Sequence, residues 1–435
     1  MSPLRRRVNA RRSWGGARGA AAIGAVALMV ALAVVGLAVV GLAAGCSSQS
    51  SPPGASSAKP SGPAPATAAQ VRKLFDAFDR AVMARDEAAA RAAVPVASAA
   101  ARRGLTAVYQ HLSPLSWIGL SAVVTAVAGG PPGTMDVQFT GSPGGAGPAD
   151  RVVAELLLQF RLRGGVPTLA ADSTFPRLRA QGIMAFSAPR QISTRWYTII
   201  FDSAWKARAE ELAKLVPAQR ATVVATYHVR TARPVAIFLF SSEAEVTASI
   251  GLYKDQIDHR IQFFTHPVAR VSPVLWSPGD IGVVAPALFQ QDTWTPSMLR
   301  HELAHAFTLS WFDGLAHSPP FLKEGLAVAV ESDRSYAPLR QAIALNEPIS
   351  LLREMQVGDI WASRSTDVVR LAYAEAGATI RYVTHRWGFS RMYRWVRSIA
   401  GSDMTDAAIM NSTKRELGIR WRAFVSGWRA FATTL

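Results

Sequence analysis

His301-Glu302-Leu303-Ala304-His305 lies in a run that opens at Thr295-Pro296. Threonine followed by proline starts a helix well: a side chain able to cap, then a residue lacking the amide donor that a first turn leaves unsatisfied. On a helix, histidines four apart point the same way, one turn above the other, so two imidazoles can meet one metal ion. Glu302 is rotated aside, where its carboxylate can reach a water on the metal rather than the metal itself. Met298, Leu299, Leu303, Ala306 and Phe307 form the apolar stripe that would seat this helix. With eight histidines in 435 residues, the pentapeptide arises by chance in roughly one such chain in two hundred, so it needs a second observation beside it.

That observation is Glu324. Pro319-Pro320 opens another helix, expected to run from Phe321 to Glu331, and Glu324 is an acid inside its apolar run. A carboxylate on a buried face is costly unless it is paired or bound to a metal. Gly325 beside it would let this helix approach the first closely. Two histidines and one carboxylate, with water in the fourth position, form a catalytic zinc set.

Eighteen residues separate His305 from Glu324, and Leu322-x-Glu324-Gly325-x-Ala327 surrounds the acid. This pattern resembles the gluzincin metallopeptidases, most closely the peptidase MA-like group, and shares the ligand spacing of the aminopeptidase N family. The resemblance covers roughly Arg195 to Leu435. It implies Zn2+ on His301, His305 and Glu324, with Glu302 as general base. It also implies a fold: a small twisted sheet packed on the metal helix, with a helical lobe across the cleft. The sheet edge of such proteins pairs with the substrate backbone, and Ile281 to Ala285 is expected to be that edge. Leu371 to Gly377 fits a later segment of the family, which makes Tyr373 the candidate to stabilise an oxyanion. A core tyrosine with a satisfied hydroxyl is the alternative. Glu331 can orient a ligand, but an exposed acid at a helix end is the ordinary case. Aminopeptidase N relatives carry Gly-x-Met-Glu-Asn upstream, where the acid holds the substrate amine. Gly282-Val283-Val284-Ala285-Pro286 has no acid, so the expectation is an endopeptidase acting on peptide or protein substrates.

The other histidines, His111, His228, His259, His266, His317 and His385, have no ligand spacing and are expected at the surface or satisfied in the core. Trp421, Phe424, Val425, Trp428 and Phe431 recur at helix spacing, the signature of core packing.

These groups need elements to hold them. Trp196 to Phe201 and Pro234 to Phe240 are apolar, β-rich runs, the second continuous enough for a strand buried on both faces. Ala204 to Val216 reads as an amphipathic helix that stops before Pro217. From Thr295 onward nearly every pattern is helical. Upstream, Ala68 to Ala93 reads as one helix with Val71, Leu74, Phe75, Phe78 and Val82 at helical spacing. Met135 to Thr140 and Val152 to Leu162 follow as strands. That order of elements resembles the nuclear-transport-factor-like fold. The chain is therefore read as α+β, with an accessory α+β domain at 68–194 and a metallopeptidase domain at 195–435.

The N-terminus reads as an address. Arg5, Arg6, Arg7, Arg11, Arg12 and Arg18 form a basic head, Ala20 to Ala44 carry no charge, and Leu42-Ala43-Ala44-Gly45-Cys46 follows. Basic, apolar, then small is the export-signal order. Its ending resembles a bacterial lipoprotein signal, which implies lipidation of Cys46, the only cysteine. Ala43 stands where such signals carry leucine, and Leu42 is one place off. An uncleaved transmembrane anchor is the alternative, since the apolar run is long enough to span. Both readings put the rest on the outer face of the cytoplasmic membrane, because the arginines stay inside. Residues 47–67, rich in Ser, Pro, Gly and Ala, would form a tether, composed so that they cannot bury enough apolar surface to order themselves.

The formal charge is +17, and the chain beyond the basic head is still basic. Such an excess favours anionic lipid or wall polymer, or belongs to an Arg-rich soluble surface. No nucleic-acid partner is expected. A non-catalytic envelope scaffold that keeps the fold is the rival to an enzyme, but a pure scaffold has no use for Glu302.

Overall fold

The computed structural model describes residues 64–145, 152–170, 186–229, 234–242, 244–246, 263–265, 281–284, 295–313, 319–347 and 365–435, with isolated positions between them. Cys46, the apolar segment and most of the tether lie outside the described residues. Among the described residues, no helix is long and apolar enough to cross a membrane.

The fold is α+β. Three helices, α1 (Ala68–Ala84), α2 (Glu87–Ala93) and α3 (Ala99–Leu112), precede an antiparallel sheet of β1 (Trp117–Ala126), β2 (Thr134–Pro143), β3 (Val152–Arg163) and β4 (Val166–Leu169), paired in that order. A capping box starts α1: the Thr67 hydroxyl accepts from the Gln70 amide, and the Gln70 side chain accepts from the Thr67 amide. Val71, Phe75, Phe78 and Val82 are buried, as their spacing predicts. Phe75 meets Phe78, Phe139 and Phe160 edge-on. The expected single helix over 68–93 is two helices. Arg85 adopts φ 58°, and the Asp86 carboxylate accepts from the Ala89 amide as a new cap. A cap of this kind competes with helix continuation by offering the backbone another partner.

Asp79 is buried on α1 and accepts the Ala122 amide of β1 at 2.7 Å. Burial pushes its carboxyl up to about 7, with the Ala122 bond acting in the opposite direction. A folded pKa above the unfolded one contributes stability that is complete below the unfolded value and lost as pH rises through the folded one. Wild type should therefore lose stability relative to Asp79→Asn between about pH 4 and pH 7, at about 1.4 kcal/mol per pH unit within that window. Urea unfolding at pH 5 and pH 8 measures this, and parallel profiles for the two proteins would refute it.

The second sheet contains β5 (Pro189–Ser193), β6 (Tyr197–Asp202), β7 (Val235–Phe240), β8 (Phe263–Thr265) and β9 (Ile281–Val284), in the order β5-β6-β7-β9-β8. β6, β7 and β9 are parallel, and β5 and β8 run antiparallel at the two edges. Ile281 to Ala285 was expected to be the edge. β9 is instead covered by β8, a three-residue strand too short to leave a hydrophobic signature. β5 lies before residue 195, so the sheet begins upstream of the expected domain boundary.

β6 and β7 are buried along their whole length because both faces are covered. Ile199, Phe201, Ile237 and Leu239 enter the larger core with the C-terminal helices. Ile200, Ala236, Phe238 and Phe240 enter the smaller core with Phe75, Phe139 and Phe160. One sheet thus joins both cores.

α4 (Lys206–Tyr227) crosses from β6 to β7 and contains Pro217, where the sequence predicts a stop. Proline leaves the carbonyl four residues back without its donor. Here that carbonyl, of Ala213, accepts the Tyr197 hydroxyl at 2.9 Å, so the helix runs on. Among the described residues the remaining α-helices are α5 (Thr295–Thr308), α6 (Pro320–Val328), α7 (Ala337–Ala344), α8 (Thr366–Trp387), α9 (Phe389–Ala400), α10 (Asp406–Leu417) and α11 (Trp421–Ala432). Phe424 and Trp428 of α11 are fully buried, and Phe424 stacks on Trp421.

Candidate metal centre

α5 packs between α4 and α6, with Leu299, Leu303 and Ala304 buried. Its other side carries His301 and His305. α6 brings Glu324 to them. His301 Nε2 and His305 Nε2 are 3.1 Å apart, and Glu324 Oε2 lies 3.3 Å from the first and 3.2 Å from the second. The three can hold a metal ion, and no other group of this kind occurs among the described residues. Their side chains are 7%, 15% and 20% exposed, so the donors are largely shielded from solvent.

The glycine beside Glu324 has a different partner from the one expected. A side chain at Gly325 would come within 2.8 Å of the Ala376 carbonyl of α8, and one at Gly377 within 2.5 Å of Val328. The two glycines let α6 and α8 cross backbone to backbone. This crossing, together with the packing of α6 on α5, sets the position of Glu324 and brings Tyr373 of α8 to the site.

Tyr373 lies beside the Glu324 carboxylate, and its ring lies 6.0 Å from that of His301. The Glu324 charge, burial and the Glu302 charge together hold its pKa well above that of a free phenol. It therefore remains a donor. Glu302 is 4% exposed.

Glu331 corrects the expectation of an exposed helix-end acid. α6 ends at Val328, and the chain turns so that Glu331 Oε1 meets His301 Nδ1 at 2.5 Å. Glu331 Oε2 accepts the Ser335 hydroxyl. A carboxylate on Nδ1 fixes the proton there and leaves Nε2 with its lone pair toward the other donors. An acid closing the apolar run Ala327 to Val330 was a usable signal for this partner.

Burial by itself lowers the His301 pKa, but hydrogen bonds accepted by the Glu324 and Glu331 carboxylates outweigh it and the pKa is raised well above the ordinary value. Burial by itself raises the Glu324 pKa, but His305 and His301 hold it far below the carboxylate range. The acid is thus ionised, as a ligand must be.

Among the remaining histidines, His111 bonds the Ala107 carbonyl, His228 packs on Phe389 and His385 on Phe431. His259 and His266 lie outside the described residues. No protein-family model and no curated protein matches the chain.

Proposed function

We propose that the chain is a zinc-dependent peptidase of the gluzincin type, acting as an endopeptidase outside the cytoplasm. The observation that carries this reading is the convergence of His301, His305 and Glu324 beside a buried Glu302. Four tetrahedral donors at 2.0–2.1 Å from zinc lie about 3.3–3.4 Å from one another. The donor triangle here has edges of 3.1, 3.3 and 3.2 Å. Imidazole nitrogens with a single carboxylate suit zinc better than the all-oxygen shells of calcium or magnesium.

Bound zinc supplies Lewis acidity to a water and to the scissile carbonyl. Glu302 accepts a proton from the attacking water and returns it to the departing amine. Tyr373 donates to the carbonyl oxygen as it gains charge, which requires its hydroxyl to turn from Glu324. Glu331 holds the His301 ring. Gly282 to Pro286 carries no acid to bind a substrate amine, which favours internal bonds.

The N-terminal helices and four-stranded sheet fit a nuclear-transport-factor-like support, and Cys46 fits a lipid anchor. Cys46→Ala is expected to lose labelling by a radioactive lipid precursor, and equal labelling of both proteins would refute the anchor. For the enzyme, purified protein is incubated with a mixed peptide library. Cleavage should stop after chelation and return with Zn2+. Stoichiometric zinc with no cleavage of any peptide would favour the scaffold instead.

A further inference from the structure

Glu331 reaches His301 from an irregular segment after α6, in which the Glu331 amide donates to the Val328 carbonyl at 3.0 Å and the Ser332 amide to the Ser297 hydroxyl of α5 at 3.3 Å. Arg381, on α8, holds the carbonyl side of the same segment. Its Nε donates to the Ala329 carbonyl at 2.9 Å, Nη2 to the Glu331 carbonyl at 2.7 Å, and Nη1 to the Asp333 carboxylate at 2.7 Å. The guanidinium lies 4.5 Å over the Tyr336 ring, and the Tyr336 hydroxyl donates to the Val328 carbonyl at 3.0 Å. The last carbonyls of a helix have no partner within it. A planar fork of donors can take several together, as an ammonium cannot.

We propose that Arg381 is a positioning residue for the metal centre, acting through Glu331 on His301. The path is a chain of hydrogen bonds from α8 to the Glu331 backbone, across its carboxylate, to His301 Nδ1. The Asp333 ion pair is incidental: Asp333 is 78% exposed, and exposed pairs contribute little. The geometry argues for the two carbonyl bonds as the functional part. This inference rests on the zinc reading for its consequence, but the clamp itself exists without metal.

The test uses the full chain with Arg381→Ala, Arg381→Lys, Asp333→Ala, Glu331→Gln and the double variant Arg381→Ala/Glu331→Gln. Zinc affinity is measured by competition with a chromophoric chelator. Loss of a partner behind a metal-bound histidine weakens binding by about 10–100-fold. Glu331→Gln should show a loss in that range, Arg381→Ala about tenfold or more, and the double variant no more than Glu331→Gln. Asp333→Ala should match wild type. Arg381→Lys keeps the charge and the ring contact and guards against a failure of the alanine variant to fold. It should still bind zinc weakly.

In metal-free protein with 15N-labelled histidine, the Nδ1 proton of His301 should resonate far downfield. The signal should be lost in Arg381→Lys and kept in Asp333→Ala. Wild-type zinc affinity in Arg381→Lys, or additive losses in the double variant, would overturn the proposal. Wild type that binds no zinc would defeat the peptidase reading, while the proton signal still decides the clamp.

Discussion

Replacing Glu302 with glutamine is expected to leave one zinc per chain and to lower peptide hydrolysis at least about a hundredfold. Glu302 follows His301 directly on α5, and on a helix adjacent side chains diverge by about 100°. It cannot share the ligands' direction, so the three-donor triangle should survive its loss. The side chain is 4% exposed, and glutamine keeps its size and shape. The fold should therefore tolerate the change. What disappears is an acceptor for the proton of the attacking water. The Glu302 charge also helps raise the pKa values of His301 and Tyr373. Zinc content and turnover of the same peptide are measured on both proteins. Zinc loss in the variant would make Glu302 a structural support, and equal turnover would mean that another group is the base.

The donors of this centre are legible in the sequence because α5 and α6 are local objects. A helix fixes the geometry of His301 and His305 by itself, and an acid in an apolar run announces that it needs a partner. The groups around the donors are not local. Arg381 lies fifty residues beyond the carbonyl of Glu331 that it holds, and no periodicity connects them. Gly325 is legible as a close approach but not as to what it approaches, because Ala376 reaches it only once α8 is packed. The path of α4 through Pro217 depends on a hydroxyl from β6, so a local breaker loses to a tertiary donor. β8 escapes notice for another reason. At three residues it has no room for alternation, and it changes which strand is the edge.

That edge matters for the peptidase reading. A substrate backbone that adds to the sheet would pair with β8 rather than β9, whose hydrogen-bonding positions face β7 on one side and β8 on the other. The register places Gly282 opposite both Phe238 and Phe264. Ile281 to Val284, first read as the edge that would pair with a substrate, is therefore an interior strand.

Removing a ligand should have the other large effect. His301→Ala and Glu324→Ala are each expected to fall from about one zinc per chain to near none after gel filtration, read by atomic emission. Glu324 does more than donate. It is the only anion of the triangle, and without it His301 Nε2 and His305 Nε2 face each other at 3.1 Å. The two nitrogens alone would hold zinc with two protein donors, fewer than the three of catalytic sites. Acid should expose the same dependence in wild type. Because Glu324 and Glu331 raise the His301 pKa, a proton competes with zinc at a higher pH than it would for an unperturbed imidazole. Zinc affinity should fall as pH drops through that raised value. Full zinc retention by both His301→Ala and Glu324→Ala would remove the ligand assignment and, with it, the catalytic role of Glu302.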